Sequence, residues 1–175
     1  MIADKRSFRA VGKGRFREDH GLSFDEFEVG AVIEHRPGRT ITEADNIWQS
    51  LINMNPSPLH IDTAYAQTTR WEKPLVSSLV TFSIVNAMSV SSLSARAIAN
   101  LGWDKVRMTA PCFVGDTIYA ESEILSKRLS EKDPSQGIVT FRTSGLTAEG
   151  TIILTCERSI LLPSDSPSPS SGSMY

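Results

Sequence analysis

The chain has 175 residues, 40% hydrophobic and 22% charged, with a formal net charge of −2 at pH 7. That length suits one globular domain with its own core, and the near-neutral balance excludes a general nucleic-acid binder, which carries a basic surplus or stripe. Cys112 and Cys156 lie too far apart for a CxxC site and are too few for a disulfide framework. The longest apolar stretch, residues 76–90, is interrupted by Ser77, Ser78, Ser83, Asn86 and Ser89, so no membrane span is expected.

Residues 1–21 are predicted to form a solvated basic arm. Lys5, Arg6, Arg9, Lys13, Arg15 and Arg17 face a single early acid, Asp4, and the apolar block of a signal peptide is missing. Gly12-Lys13-Gly14 lacks the third glycine of a dinucleotide loop. The body is predicted over residues 22–162 as one domain. Residues 31–41 alternate around β-branched side chains and predict a strand. Thr42 then starts a helix, with Asp45 completing a capping-box pattern, and Ile47, Trp48, Leu51 and Ile52 recur at helical spacing up to about Asn53. In the next segment, Asn55-Pro56-Ser57-Pro58-Leu59-His60, two prolines remove backbone donors and restrict their neighbours, which predicts a stiff irregular loop. Asp62 is placed to cap a short helix through Ala66.

Residues 76–93 are apolar on nearly every face, interleaved only with small polar residues, as in a buried helix. Strands follow at about residues 103–108, 117–129, 137–146 and 151–161. Turns at residues 133–137 and 148–150 favour sequential antiparallel pairing. The layout is α+β, an antiparallel β-sheet wrapped around a long buried central helix. Residues 163–175 are dominated by Ser and Pro and predict a disordered tail.

Taken residue by residue, His60 reads either as a loop histidine bonded locally or as a proton carrier, since an imidazole titrating near neutrality serves as base in one direction and acid in the other. The start of the 76–93 helix offers unpaired N–H groups and the positive end of a helix dipole, while Ser77 and Ser78 read equally well as ordinary caps. Asn86 reads as a core amide or a ligand contact. The spacing of His20, His35 and His60 matches no metal site.

The Phe27-Glu28-Val29-Gly30 segment, Thr42-Glu43-Ala44-Asp45, Pro58-Leu59-His60 followed by Asp62 and Ala66, and Ala110-Pro111-Cys112-Phe113-Val114-Gly115-Asp116-Thr117 together resemble the MaoC-like dehydratase, or R-specific enoyl-CoA hydratase, family of hotdog proteins. In that family's usual loop, Asp-x-Asn-Pro-(Ile/Leu)-His, the Asp and His form the catalytic pair. Here Asn55 stands at the aspartate position and Ser57 at the asparagine position, and Ser77-Ser78 replaces a common His-Gly. These departures resemble the mesaconyl-CoA hydratase, or β-methylmalyl-CoA dehydratase, subgroup.

The resemblance implies a hotdog fold and a hydro-lyase that reversibly hydrates an enoyl-CoA thioester, with a branched or dicarboxylic C4–C5 acyl group such as mesaconyl as substrate. It casts His60, Asn55 and the Ser78 N–H as catalytic, and Ser77, Asn86 and Pro58 as substrate contacts. Asn55 can hold water but not take a proton, which leaves His60 working alone or with a displaced acid among Glu43, Asp45 and Asp62. No metal and no cofactor are implied beyond the coenzyme A of the substrate, whose phosphates Arg70, Lys73, Arg107, Lys127 and Arg128 are placed to meet. A homodimer or higher homo-oligomer in the cytoplasm is implied, without nucleic-acid or membrane partners. Two competing functions remain open: a hotdog thioesterase, and a non-catalytic acyl-CoA-binding protein.

Overall fold

A computed structural model describes residues 8–164. Residues 1–7 of the basic arm and 165–175 of the Ser/Pro-rich tail lie outside the described residues. The main sheet has five antiparallel strands: β3 (Val32–Thr40), β4 (Ala99–Met108), β5 (Thr117–Leu129), β6 (Gln136–Thr147) and β7 (Ile152–Pro163), in spatial order β3-β5-β6-β7-β4. Period-2 patterning sets its faces. Ile118, Ala120, Ser122 and Ile124 of β5 point inward with Val139, Phe141 and Thr143 of β6, while Glu121 and Arg142 point out. On β7 the inner face is Leu154, Cys156, Ile160 and Leu162. Ile153 is also buried, because the β6–β7 register shifts between Gly145 and Leu146.

Across the inner face lies α4 (Ser78–Met88), packed through Val80, Ile84 and Val85. Gly145 permits the approach, since a Cβ there would sit 2.5 Å from Val85 Cγ2. The sheet curls around this helix as the sequence pattern predicts, with two corrections. The α-helix stops at Met88 and continues as a π-helical turn, Val90–Ser94. It is also not buried on every side: Leu79, Ser83 and Ala87 are exposed, because the sheet covers one flank only.

Four further boundaries differ from expectation. Within the basic arm, β1 (Phe8–Gly12) and β2 (Arg15–Glu18) pair as an exposed hairpin, which alternation this short does not announce. The end of that arm is tied to the body: Arg96 pairs with Asp19, and the Gly21 N–H donates to Ser91 O at 2.8 Å. Pro163 still belongs to β7, and Ser164 donates from its N–H to Ser135 O, so ordered chain runs past residue 162. Strand β4 begins four residues before Trp103.

Helix α1 (Glu43–Ile52) has the predicted capping box, with Thr42 Oγ1 accepting from the Asp45 N–H at 3.2 Å and Asp45 Oδ2 accepting from the Thr42 N–H at 2.9 Å. Its orientation is the surprise. The buried positions are Asn46 and Ser50, while Trp48, Leu51 and Ile52 turn outward and Ile47 is half-buried. The proline-flanked loop is instead partly helical. With Pro58 at its first position, where the missing N–H is harmless, α2 (Pro58–Ile61) carries His60, and α3 (Thr63–Gln67) follows, capped by Asp62 as predicted.

Candidate active site

Two distant motifs meet at the entry to α4. The Val76 N–H donates to Cys112 O at 2.8 Å, and Leu75 bridges Phe113. Asp116 closes the turn by accepting from the Phe113 N–H at 2.8 Å, and Gly115 takes φ +95°, a left-handed conformation suited to glycine. The Ala-Pro-x-x-x-Gly-Asp-Thr segment thus acts as a backbone shelf for the residues that start α4. A cleft of about 310 Å³ opens beside that shelf, lined by Trp71, Leu75, Ser78, Thr81, Cys112 and Ile153 among others. Burial and the nearby Asp116 push the Cys112 thiol up to about 12, so it stays protonated and is a poor nucleophile at neutral pH.

His60 is half-buried, and its Nδ1 lies 2.8 Å from Leu75 O. A carbonyl only accepts, so Nδ1 carries the proton of the neutral ring, and Nε2 keeps the lone pair. Leu75 itself lines the cleft. Helix geometry leaves the Ser78 and Leu79 N–H groups at the positive end of α4 without intrahelical acceptors, and Ser78 lines the cleft. Ser77 is buried, with its N–H donating to Asn46 Oδ1 at 2.9 Å. That group is engaged within the protein.

Asn55 starts an Asx turn: its Oδ1 accepts from the Ser57 N–H at 3.3 Å, and its own N–H donates to Ser50 O. Pro58 is exposed on α2 and is not among the cleft-lining residues. Asn86 lies two turns along α4. Nδ2 donates to Phe82 O at 2.8 Å, and Oδ1 accepts from Trp103 Nε1 at 2.9 Å and lies 3.6 Å from Cys156 Sγ. The buried Asn86 amide ties α4 to β4 and β7, the core-amide reading of this residue. Asn46 links the main chain of His60 to that of Ser77, and Ser78 lines the cleft, whereas His60, Ser77, Asn55 and Asn86 are not among its lining residues.

The candidate substitute acids have structural occupations. Although partial burial raises the Asp45 carboxyl, hydrogen bonds from Thr42 and the charge of Arg39 hold it below its ordinary value. Asp62 accepts from the Tyr65 N–H at 3.0 Å. Among the cations, Arg70 stacks over Trp71 at 4.3 Å and Lys73 over Phe113 at 4.2 Å, both near the cleft. Lys127 instead reaches Phe24 O and Asp25 O, away from it. Sequence reasoning missed Asn46. Its position inside the amphipathic pattern, a polar residue between Asp45 and Ile47, was the available signal.

The fold is the α+β hotdog, and residues 26–145 match the family model of the MaoC-like domain. The chain belongs to that family. It is 31% identical over 147 residues to a protein of Chloroflexus aurantiacus named beta-methylmalyl-CoA dehydratase, an overlap covering 84% of this chain and 42% of that one. It is 33% identical over 107 residues to the (R)-specific enoyl-CoA hydratase of Aeromonas caviae, covering 61% of this chain and 75% of that one. A Mycobacterium tuberculosis protein described as a double hotdog superposes with TM-score 0.77 at 23% identity, over 86% of this chain and 47% of that one. The chain thus spans less than half the length of the first of these relatives.

Proposed function

We propose that this chain reversibly hydrates enoyl-CoA thioesters, with a branched or dicarboxylic C4–C5 acyl group such as mesaconyl as the preferred class. The observation that carries the proposal is the His60 imidazole, bonded through Nδ1 to the carbonyl of Leu75, three residues ahead of the α4 start. In this mechanism His60 Nε2 takes a proton from water as the oxygen adds to the β carbon. The negative charge growing on the thioester oxygen falls toward the N–H groups of Ser78 and Leu79, and the proton returns to the α carbon. Asn55 Nδ2 holds the water by donating or through a bridging solvent molecule, while its amide cannot take the proton. Arg70 and Lys73 meet the coenzyme A phosphates, and no further cofactor enters the reaction.

The names of the dehydratase and hydratase relatives support the substrate class. A homodimer or larger homo-oligomer is supported by the open edge of β4, where Leu101, Trp103 and Met108 are exposed, and by the double-hotdog protein, in which two copies of this fold share one chain. Buried, unpaired Cys112 and Cys156 suit a reducing cytoplasm.

The test follows enoyl absorbance and free thiol together on mesaconyl-CoA, crotonyl-CoA and their hydroxylated products. Hydration without thiol release is expected. His60→Ala should lower kcat roughly 10²–10⁴-fold, and Asn55→Asp, which restores a carboxylate, should raise it. Thiol release alone would point to a thioesterase, and binding without either signal to a scaffold. Unchanged turnover in His60→Ala rejects the mechanism.

A further inference from the structure

Helix α1 faces the body with its polar side. Asn46 is 1% exposed and makes three hydrogen bonds to main-chain groups that are distant in sequence. Its Nδ2 donates to His60 O at 2.8 Å and to Leu75 O at 3.2 Å, and its Oδ1 accepts from the Ser77 N–H at 2.9 Å. Leu75 O is also the acceptor for His60 Nδ1. One amide therefore holds the carbonyl of the imidazole's own residue, the carbonyl to which that imidazole donates, and the N–H of the residue capping α4.

We propose that Asn46 is a positioning residue that fixes the His60 ring and the amino end of α4 relative to each other. Its catalytic consequence rests on the hydration mechanism above; its effect on the ring does not. Asparagine suits the task because one nitrogen offers two donors for two carbonyls while the oxygen accepts from an N–H. Apolar side chains would leave three main-chain groups without this partner, among them the N–H of buried Ser77, and a buried group is costly when unsatisfied. A carboxylate would keep the bond from Ser77 but set its second oxygen against two carbonyl oxygens. Only when protonated could it donate to one of them. None of these hydrogen bonds goes to the ring atoms or to Ser78, so Asn46 acts through the scaffold.

Asn46→Asp in the full chain tests this, with His60 ring nitrogens followed by 15N NMR and turnover of crotonyl-CoA measured across pH. In the wild type, His60 should appear as the Nδ1–H tautomer. In the variant, raising pH through the new carboxyl's titration should give a mixture of tautomers, and kcat should fall roughly 100-fold, with recovery at low pH. Ser50→Ala is the control: Ser50 Oγ is buried on the same face of α1 and, among the described residues, has no partner. Its removal should leave the ring spectrum unchanged. If Asn46→Asp does not fold, Asn46→Ala, which leaves room for bridging water, is read by the His60 tautomer spectrum and by kcat at a single pH, where an unchanged spectrum with unchanged kcat likewise overturns the proposal. A folded variant with a wild-type His60 spectrum and a pH-independent kcat ratio overturns the proposal. A wild type inactive on every enoyl-CoA would instead reject the hydration mechanism, and the tautomer measurement would still decide the role of Asn46.

Discussion

The sheet with α4 and the α1–α2 corner obey opposite burial rules. Along β5, β6 and β7 the apolar residues go in and the charged ones go out, where Arg142 bridges Glu123 and Glu157. On α1 the relation is reversed: Asn46 and Ser50 are buried, while Trp48 and Ile52 are 69% and 74% exposed. The difference follows from what each element faces. Strand β6 is hydrogen-bonded on both sides, so its inner face need only exclude water. Helix α1 instead faces the turns between Asn55 and Ser77, where Pro56, Pro58 and Pro74 break regular pairing and leave main-chain carbonyls needing side-chain donors. The irregular backbone that carries His60 thus requires polar residues beneath it.

The largest effect expected from this contrast is at the sheet. Phe141 is fully buried in the cluster with Phe24, Phe27 and Leu93. Phe141→Ala should cost about 3–5 kcal/mol of stability in urea unfolding, through lost transfer energy and an unfilled cavity. A loss below about 1 kcal/mol would mean that this cluster is not a packed core, and the two regions would no longer differ as described.

A smaller effect tests a polar seam inside the apolar region. His35 is buried, with its ring nitrogens 2.9 Å from Ser92 Oγ and 2.8 Å from Ser122 Oγ, and Ser122 in turn meets Thr143 Oγ1 at 2.8 Å. Burial, aided by the charge of Arg36, lowers its pKa from 6.5 to about 4. The folded state therefore holds this ring neutral at pH values where the unfolded chain protonates it. Its contribution is complete above the unfolded value and is lost as pH falls toward the folded one, with a limiting slope of about 1.4 kcal/mol per pH unit. His35→Asn removes that titration, so the wild type should lose stability relative to this variant as pH is lowered from 6.5 to about 4. Parallel curves in urea melts over that range would show that the ring is not held neutral.

Much of this was legible from residue order. Capping by Thr42 and Asp62, the extents of β3 and β5, and both late hairpins follow from local rules that the tertiary structure does not overrule. His60 stands out as a candidate through the resemblance of Pro58-Leu59-His60 to the family's loop, since by itself it reads equally as a loop histidine bonded locally. What could not be read was direction. Helical spacing marks Trp48 and Ile52 as one face but not which way that face points, and helical periodicity takes no account of the carbonyls of His60 and Leu75 that draw Asn46 inward. The partners of Asn86, Trp103 and Cys156, are likewise invisible to helical periodicity because they come from strands distant in sequence.

The smallest predicted effect sharpens the comparison most directly. If the outward face of α1 is exposed to water in the folded chain, replacing Trp48 and Ile52 removes little that folding had buried. Glutamine keeps good helix propensity at an exposed site. The double substitution Trp48→Gln, Ile52→Gln should thus move the unfolding free energy by no more than about 0.5 kcal/mol per site, measured at low protein concentration. Asn46 and His60 lie on the other side of the same corner, so the His60 ring spectrum should be unaffected. A loss of several kcal/mol would show that these side chains are covered in the folded state, and the inversion of α1 would then be a property of the isolated chain alone.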